Sequence, residues 1–290
     1  MTAAAHPAGP SSHAGANRTT AGRVRIGISG WRYAGWRGDF YPTGLVQRRE
    51  LAYAAERLTS IEVNGSFYSL QRPASWERWR DDVPDDFMFS VKGPRFITHL
   101  RRLRDCDQAL ANFFASGVLL LGRRLGPILW QLPERLEFEQ DVVAAFLAAL
   151  PRRTTQAATL ARRHDEKVKD PSTVCLGDAP LRHALEFRSP TFATEESLAL
   201  LRSHDVACVL ADTAGRWPRV DRLTTDFAYV RLHGDRELYA SGYDDPALDA
   251  WAERLRGWSS GGADVWCYFD NDAKGHAPYD AMRLIERMSA

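Results

Sequence analysis

Lysine is scarce in this chain of 290 residues: only four of its 38 basic residues are lysines, Lys92, Lys167, Lys169 and Lys274. Net charge is nearly absent as well, at +1, and its positive residues are dispersed, which argues against an electrostatic footprint for duplex nucleic acid. No run approaches the roughly 18 uninterrupted apolar residues of a membrane helix. Four widely spaced cysteines, Cys106, Cys175, Cys208 and Cys267, form no C-x-x-C pair, so a thiol metal knuckle or a disulfide framework is not indicated and a reduced, cytoplasmic setting fits. A glycine-rich phosphate loop is missing too. The first 22 residues lack both the apolar stretch of a secretory signal and enough hydrophobic content to order themselves, and are expected to form a disordered tail before a domain spanning 23–290.

What is present is a rhythm. Short apolar runs at 24–29, 60–64, 87–91, 127–132, 183–187, 206–212, 227–232 and 264–269 read as strands. Between them, 48–57, 106–121, 139–150, 195–203 and 246–258 carry apolar residues at helical spacing, and 278–288 closes the chain in the same way. Eight strands alternating with helices imply parallel pairing and closure into a single (β/α)8 barrel of the TIM type. Residues 151–182 are too long for a helix-to-strand loop. They read as an insertion before the fifth strand, with a helical pattern at 155–163, expected on the face away from the strand ends.

Nearly every run ends in a polar residue: Ser29, Glu62 with Asn64, Lys92, Gln131, Glu186 with Arg188, Asp212, Arg231 with His233, and Asp270 with Asn271. Strand alternation tests whether these groups converge. Glu62 and Asn64 share one face while Ile61 and Val63 take the other; Ser90 with Lys92, Glu186 with Arg188, and Tyr229 with Arg231 and His233 follow the same parity. Four carboxylates (Glu62, Glu186, Asp212, Asp270) and three cations (Lys92, Arg188, Arg231) are thus expected in one mouth at the C-terminal ends of the strands. A structural ion-pair network that merely closes the barrel is the plain alternative.

In an arginine-rich chain, a lysine at a strand end suggests that a compact, deprotonatable amine is wanted. Lys92 could bind an anion, stabilise an oxyanion or form a Schiff base, or it could simply pair with Glu62 or Glu186. Aromatic residues crowd the segments after strand ends: Trp31, Tyr33, Trp36, Phe40 and Tyr41 after the first, Phe67 and Tyr68 after the second, Tyr239 and Tyr243 after the seventh. Flat faces suit a sugar ring or a base, although Trp36 and Tyr41 are expected to pack the first loop. The run from Asp270 to Pro278, with Lys274 and His276, is a weak phosphate site because Asp270 and Asp272 oppose a dianion.

Seven strings, IGISGWRYAGW, YAAERLTSIEVNGSFYSL, FMFSVKGPRFITHLRRL, LGPILWQLP, RHALEFRSPTF, AYVRLHG and YFDNDAKGHAPYDA, resemble in order the YecE-like proteins, classified as domain of unknown function 72. The resemblance spans about 24–288 and implies a TIM barrel, loosely grouped with sugar isomerase-like barrels, with no established reaction. Its motifs carry over onto Ser29, Trp31, Glu62, Asn64, Lys92, Thr98, His99, Gln131, Glu186, Arg188, Arg231, His233 and Asn271. The chain departs from the family pattern at Gly65-Ser66 and at Asp270-Asn271, where an Asn-Asn pair is common.

The expectation is an enzyme, an isomerase, lyase or hydrolase, acting by acid/base chemistry on a small polar ligand such as a carbohydrate or sugar phosphate. Glu62 and Glu186 are the candidate base and acid, His99 and His233 the shuttles, and Lys92, Arg188 and Arg231 the anion or oxyanion stabilisers. Ser29, Trp31, Asn64, Gln131, Asp212, Asp270 and Asn271 complete the expected ligand-binding set. No cofactor is indicated firmly; a divalent metal held by Glu62, Glu186, Asp212 and His233 is an option that the nearby cations oppose. The alternative is a module that binds a nucleotide or single-stranded nucleic acid without turnover.

Overall fold

The computed structural model describes residues 20–289, so most of the expected tail lies outside the described residues. Before the first strand, the Gly22 N–H donates to the Ser259 carbonyl at 2.8 Å. Eight parallel strands follow: β1 (Val24–Ser29), β2 (Ser60–Val63), β3 (Met88–Lys92), β4 (Leu125–Gln131), β5 (His183–Glu186), β6 (Val206–Asp212), β7 (Phe227–Leu232) and β8 (Asp264–Phe269). They pair in sequence order and β8 closes onto β1, giving the TIM-type barrel.

Helices alternate with the strands: α1 (Glu50–Ala55), α2 (Gly65–Tyr68), α3 (Pro73–Asp81), α4 (Asp107–Ala115), α5 (Gln140–Ala149), α6 (Thr154–Ala161), α7 (Glu195–Ser203), α8 (Asp245–Ser260) and α9 (His276–Ser289). Their starts follow local chemistry. Pro73 opens α3, the Thr194 hydroxyl accepts from Ser197 N–H before α7, and the Asp244 carboxylate accepts from Ala247 N–H before α8. Helix α3 was not evident from apolar periodicity because its buried face rests on two residues, Trp76 and Trp79. The pattern over 106–121 also divides. Gly117, at φ 98°, ends α4, and Val118–Arg124 continues as tighter turns.

Strand alternation sorts the side chains into two cores. Outward residues such as Ile28, Val63, Val91 and Leu185 meet the helices, whereas Leu129, Ala184, Ala207, Val209, Tyr229, Trp266 and Tyr268 fill the barrel. Hydroxyls interrupt the inner core just below the mouth. The Tyr268 Oη lies 2.7 Å from both Ser60 Oγ and Ser90 Oγ, so these buried polar groups satisfy one another.

The insertion does not remain on the bottom face. Its beginning lies below β5, where His183 Nε2 donates to the Pro151 carbonyl at 2.8 Å while Nδ1 accepts from the Trp130 indole at 3.1 Å. Farther along, Asn112 of α4 draws the segment upward, with Nδ2 donating to Asp165 at 2.9 Å and Oδ1 accepting from the Asp165 N–H at 3.0 Å. Asp165 and Lys167 therefore border a groove with Phe67, Tyr68 and Phe96, from the loops after β2 and β3.

Gly93, directly after Lys92, brings the end of β3 against β4. A Cβ there would come within 2.3 Å of the Trp130 ring. Gly93→Ala is expected to destabilise the protein by about 1–3 kcal/mol through overpacking, measured by urea denaturation; an unchanged midpoint would refute the close approach.

Candidate active site

Arg231 projects inward from the end of β7 into a space that solvent does not reach, and three carboxylates close around it. Its Nε and Nη2 donate to the two oxygens of Glu62 at 3.1 and 2.9 Å. From β5, Glu186 Oε2 accepts from Nη1 at 2.8 Å, and after β8 Asp270 Oδ2 accepts from Nη2 at 3.0 Å. Ser29 completes the knot, its Oγ donating to Glu62 Oε1 at 2.9 Å and lying 3.2 Å from Arg231 Nη2. Beneath, Tyr229 donates to Glu62 Oε2 at 2.6 Å. Tyr229 lies two residues before Arg231, so its inward direction was legible, but nothing in the sequence marked it as the support of Glu62.

The charges of this cluster reinforce one another. Burial pushes the Glu186 carboxyl up, but Arg231 and Arg188 more than offset it, and the group titrates below the ordinary carboxylate range. Asp270 follows the same rule: burial raises it, Arg231 and His233 lower it further, and it too stays ionised. Arg231 loses ease of protonation through burial and regains more from Asp270, Glu62 and Glu186, so its pKa lies above the ordinary value. An ionised Glu186 is a poor proton donor at neutral pH.

Lys92 differs from these groups. Its side chain is largely buried at the end of β3, yet among the described residues no carboxylate lies within ion-pair distance. The simple pairing with Glu62 or Glu186 is thus not what the structure shows. Instead the ammonium sits 4.4 Å from the centre of the Phe67 ring. Burial and then the Arg231 charge lower its pKa to about 8. His99, in the wide turn Phe96–Leu100 beyond β3, is lowered to about 4 by burial and by Lys92 and Arg188. Its Nδ1 lies 2.9 Å from the Thr98 hydroxyl, and the ring is uncharged at neutral pH.

Arg188 bridges the knot and the rim. Nε donates to Glu186 Oε1 at 3.1 Å, Nη2 donates to the Tyr239 hydroxyl at 3.2 Å, and the guanidinium lies 3.7 Å from the Trp217 ring centre. Trp217 comes from the irregular loop after β6, where no periodicity could announce it. Beside them His233 is fully buried, its Nδ1 2.9 Å from Asp270 Oδ2 but off the hydrogen-bond line, and its ring edge-on to Trp217 and Tyr239. Asn64 is half-buried, with its Oδ1 lacking a donor. Gln131 is buried and donates from Nε2 to the Leu132 carbonyl at 2.6 Å.

Three residues expected at the mouth lie elsewhere. Asp212 has the outward parity of β6, since Ala211 is the residue paired with Arg231; it accepts from Tyr243 at 3.3 Å and faces Arg219 at 3.7 Å. Trp31 is buried edge-on against Trp79 of α3, 5.2 Å between ring centres. Asn271 donates to the Ser241 carbonyl and to Asp280 of α9, both at 2.9 Å, and so fastens the last loop. Trp36 and Tyr41 pack the first loop as expected, and Lys274 is tied to Glu237 at 3.0 Å on the surface. The metal set of Glu62, Glu186, Asp212 and His233 does not converge: two members grip Arg231 and Asp212 faces outward. No three carboxylate, imidazole or thiol groups gather to hold an ion among the described residues.

Comparison with known proteins gives a consistent picture. A family model described as "Protein of unknown function DUF72" matches residues 25–290. The UPF0759 protein YunF of Bacillus subtilis is 25% identical over 91% of this chain and 94% of its own length. The UPF0759 protein YecE of Escherichia coli K12 is 31% identical over 44% of each chain. Among solved structures, a DUF72 family protein from Thermotoga maritima superposes with a TM-score of 0.74 at 24% identity, covering 92% of this chain and all of that one. One from Enterococcus faecalis gives 0.70 at 16% identity, over 92% and 96%. Among the described residues no helix is long and apolar enough to cross a membrane.

Arg231→Met would leave three uncompensated carboxylates facing one another, two of them buried. The expected loss is about 3–5 kcal/mol of stability in urea denaturation, smaller when Glu62→Gln is added; a near-neutral single substitution would contradict the geometry. Because Glu186 and Asp270 titrate lower in the folded state than unfolded, their stabilisation is complete above about pH 5 and is lost as acid is added. Glu186→Gln should flatten that acid limb.

Proposed function

Because this chain belongs to the DUF72 family of TIM-barrel proteins, with its charged groups at the C-terminal ends of the strands, we propose that it is an enzyme of a small, anionic polar substrate such as a sugar phosphate. Lys92 is the proton-transfer group. The observation that carries this reading is its unpaired, largely buried amine, with a pKa of about 8, in a site whose carboxylates Glu186 and Asp270 hold protons poorly. A group titrating there exchanges protons near physiological pH, which is where general acid/base catalysis is most effective. As the neutral amine it would abstract a proton from carbon or hydroxyl. As the ammonium it would return one.

Arg188 is the positioning cation for the substrate's anionic group. Its guanidinium is fixed by Glu186, Tyr239 and Trp217, so little rotamer freedom remains to be lost on binding. Glu62 and Glu186 hold Arg231 rather than acting as the base and acid, while His99, uncharged, is suited to accept or donate a hydrogen bond. Phe67, Trp217 and Tyr239 supply flat apolar walls on which a sugar ring can rest.

The second reading, a binder of nucleotides or single strands, is favoured by one observation: the Trp217 and Arg188 stack at 3.7 Å is a surface on which a base could lie. Fluorescence titration with oligothymidylate across a salt series separates the two. Salt-sensitive binding without conversion of any small molecule supports the second.

Turnover of a panel of sugar phosphates, followed by NMR, tests the first. The active substrate should lose about 10²–10⁴-fold in kcat with Lys92→Met. Activity should rise with pH to a plateau above about 8, as the amine deprotonates. Unchanged turnover in Lys92→Met would sink the assignment.

A further inference from the structure

Arginines also gather at the opposite end of the barrel, around a cavity. A cavity of about 710 Å³ lies at the N-terminal ends of the strands, walled by Met88, Leu125, Trp266, Arg123, Arg152 and Arg182. The insertion forms one side of it, supplying Arg152 and the turn 179–182. A smaller cavity of about 410 Å³ adjoins it, sharing Met88, Arg182 and Trp266 and adding Arg25.

These arginines are unequally occupied. Arg182 is held by Asp264 at 2.6 Å and lies over Trp266 and Phe227 at 5.1 and 5.2 Å. Arg25 donates to the Asp86 carbonyl at 2.7 Å and Arg152 to the Leu147 carbonyl at 3.1 Å, but neither has a carboxylate within ion-pair distance among the described residues. Arg152 Nη1 is buried with no acceptor, and Arg123 is exposed and bonded to nothing described. Asp205 and Asp226 also line the cavity, but both are exposed. His204 is lowered by burial and then by Arg152, so it adds no charge at neutral pH.

The indole of Trp266 adds a second, independent sign. The residue is 97% buried, being only 3% exposed, and its Nε1–H has no acceptor. It faces Gly126 on the cavity wall, where an added Cβ would lie 3.1 Å from the nitrogen. A buried donor without a partner costs about 1–3 kcal/mol, and two of them at one cavity call for an acceptor that the chain does not provide. Planar guanidinium forks match the oxygens of phosphate and carboxylate, while Met88, Leu125 and Trp266 form an apolar wall.

We propose that the N-terminal face of the barrel is a second ligand site, taking a small molecule that presents phosphate or carboxylate oxygens on an apolar body. Oxygens of that group are received by the exposed Arg123, and by the buried donors of Arg152 and Trp266 after a slight opening of the wall. The site is separate from Lys92, because the hydroxyl layer of Ser60, Ser90 and Tyr268 lies between the two ends of the barrel.

The test is a titration of the whole protein with phenyl phosphate, benzoate and inorganic phosphate, followed by the Trp266 indole N–H resonance, assigned with Trp266→Phe. A saturable shift is expected in the wild type and in Lys92→Met alike. Arg152→Gln and Arg123→Gln should each weaken the affinity by about tenfold. Arg123 is exposed, so its variant keeps the test decisive if Arg152→Gln fails to fold. The ranking of phenyl phosphate against benzoate identifies the oxyanion, and inorganic phosphate should bind more weakly than either for want of an apolar body. No saturable shift with any probe, a shift indifferent to Arg123→Gln, or one abolished by Lys92→Met would overturn the proposal.

Discussion

A guanidinium shielded from water, gripped by three carboxylates, is the constraint on which the upper half of this barrel depends. Arg231 draws Glu62 from β2, Glu186 from β5 and Asp270 from beyond β8 to one point, so strands far apart in sequence are fixed in register at their functional ends. Neither partner could be buried alone: an isolated charge inside a protein carries a desolvation penalty of several kcal/mol, which bidentate geometry and the added bonds from Ser29 and Tyr229 offset. The same contacts decide the chemistry nearby. By keeping Glu186 and Asp270 ionised, Arg231 removes them as proton donors, and its positive charge helps hold Lys92 near the point of deprotonation.

Much of this architecture was legible. Period-2 alternation placed Glu62, Lys92, Glu186, Arg188, Arg231 and Asp270 on one inner face, and the structure brings the three carboxylates and Arg231 into direct contact. Asp212 does not join them. It ends its strand like the others, but counting back through Ala211, Val209 and Ala207 assigns it the outward face. Asn271, one residue past Asp270, has the outward parity for the same reason. Trp31 lies beyond the strand altogether, where alternation no longer constrains direction, and its indole found Trp79 instead.

Other features had no signal to read. Whether a charged residue is paired depends on distances across the barrel, so the isolation of Lys92 could not be told from its neighbours in sequence. Trp217 reaches Arg188 from a loop whose course is set by turns rather than periodicity. Helix α3 hid because two tryptophans do the work of a longer apolar stripe. The insertion, recognisable by its length, gave no hint that it would both wall a cavity below the strands and climb beside α4. Cations therefore line both ends of the barrel, at one an amine poised to titrate and at the other arginines that never do.

The scarcity of lysine makes the titration of Lys92 directly measurable. With only four lysines in the chain, a ¹³C-lysine NMR titration resolves each side chain, and Lys92→Met assigns the signal. Lys92 is expected to titrate near 8, well below the ordinary lysine value of about 10.4. A Lys92 signal that titrates at or above that ordinary value would show an amine paired with a carboxylate and contradict this reading of the site.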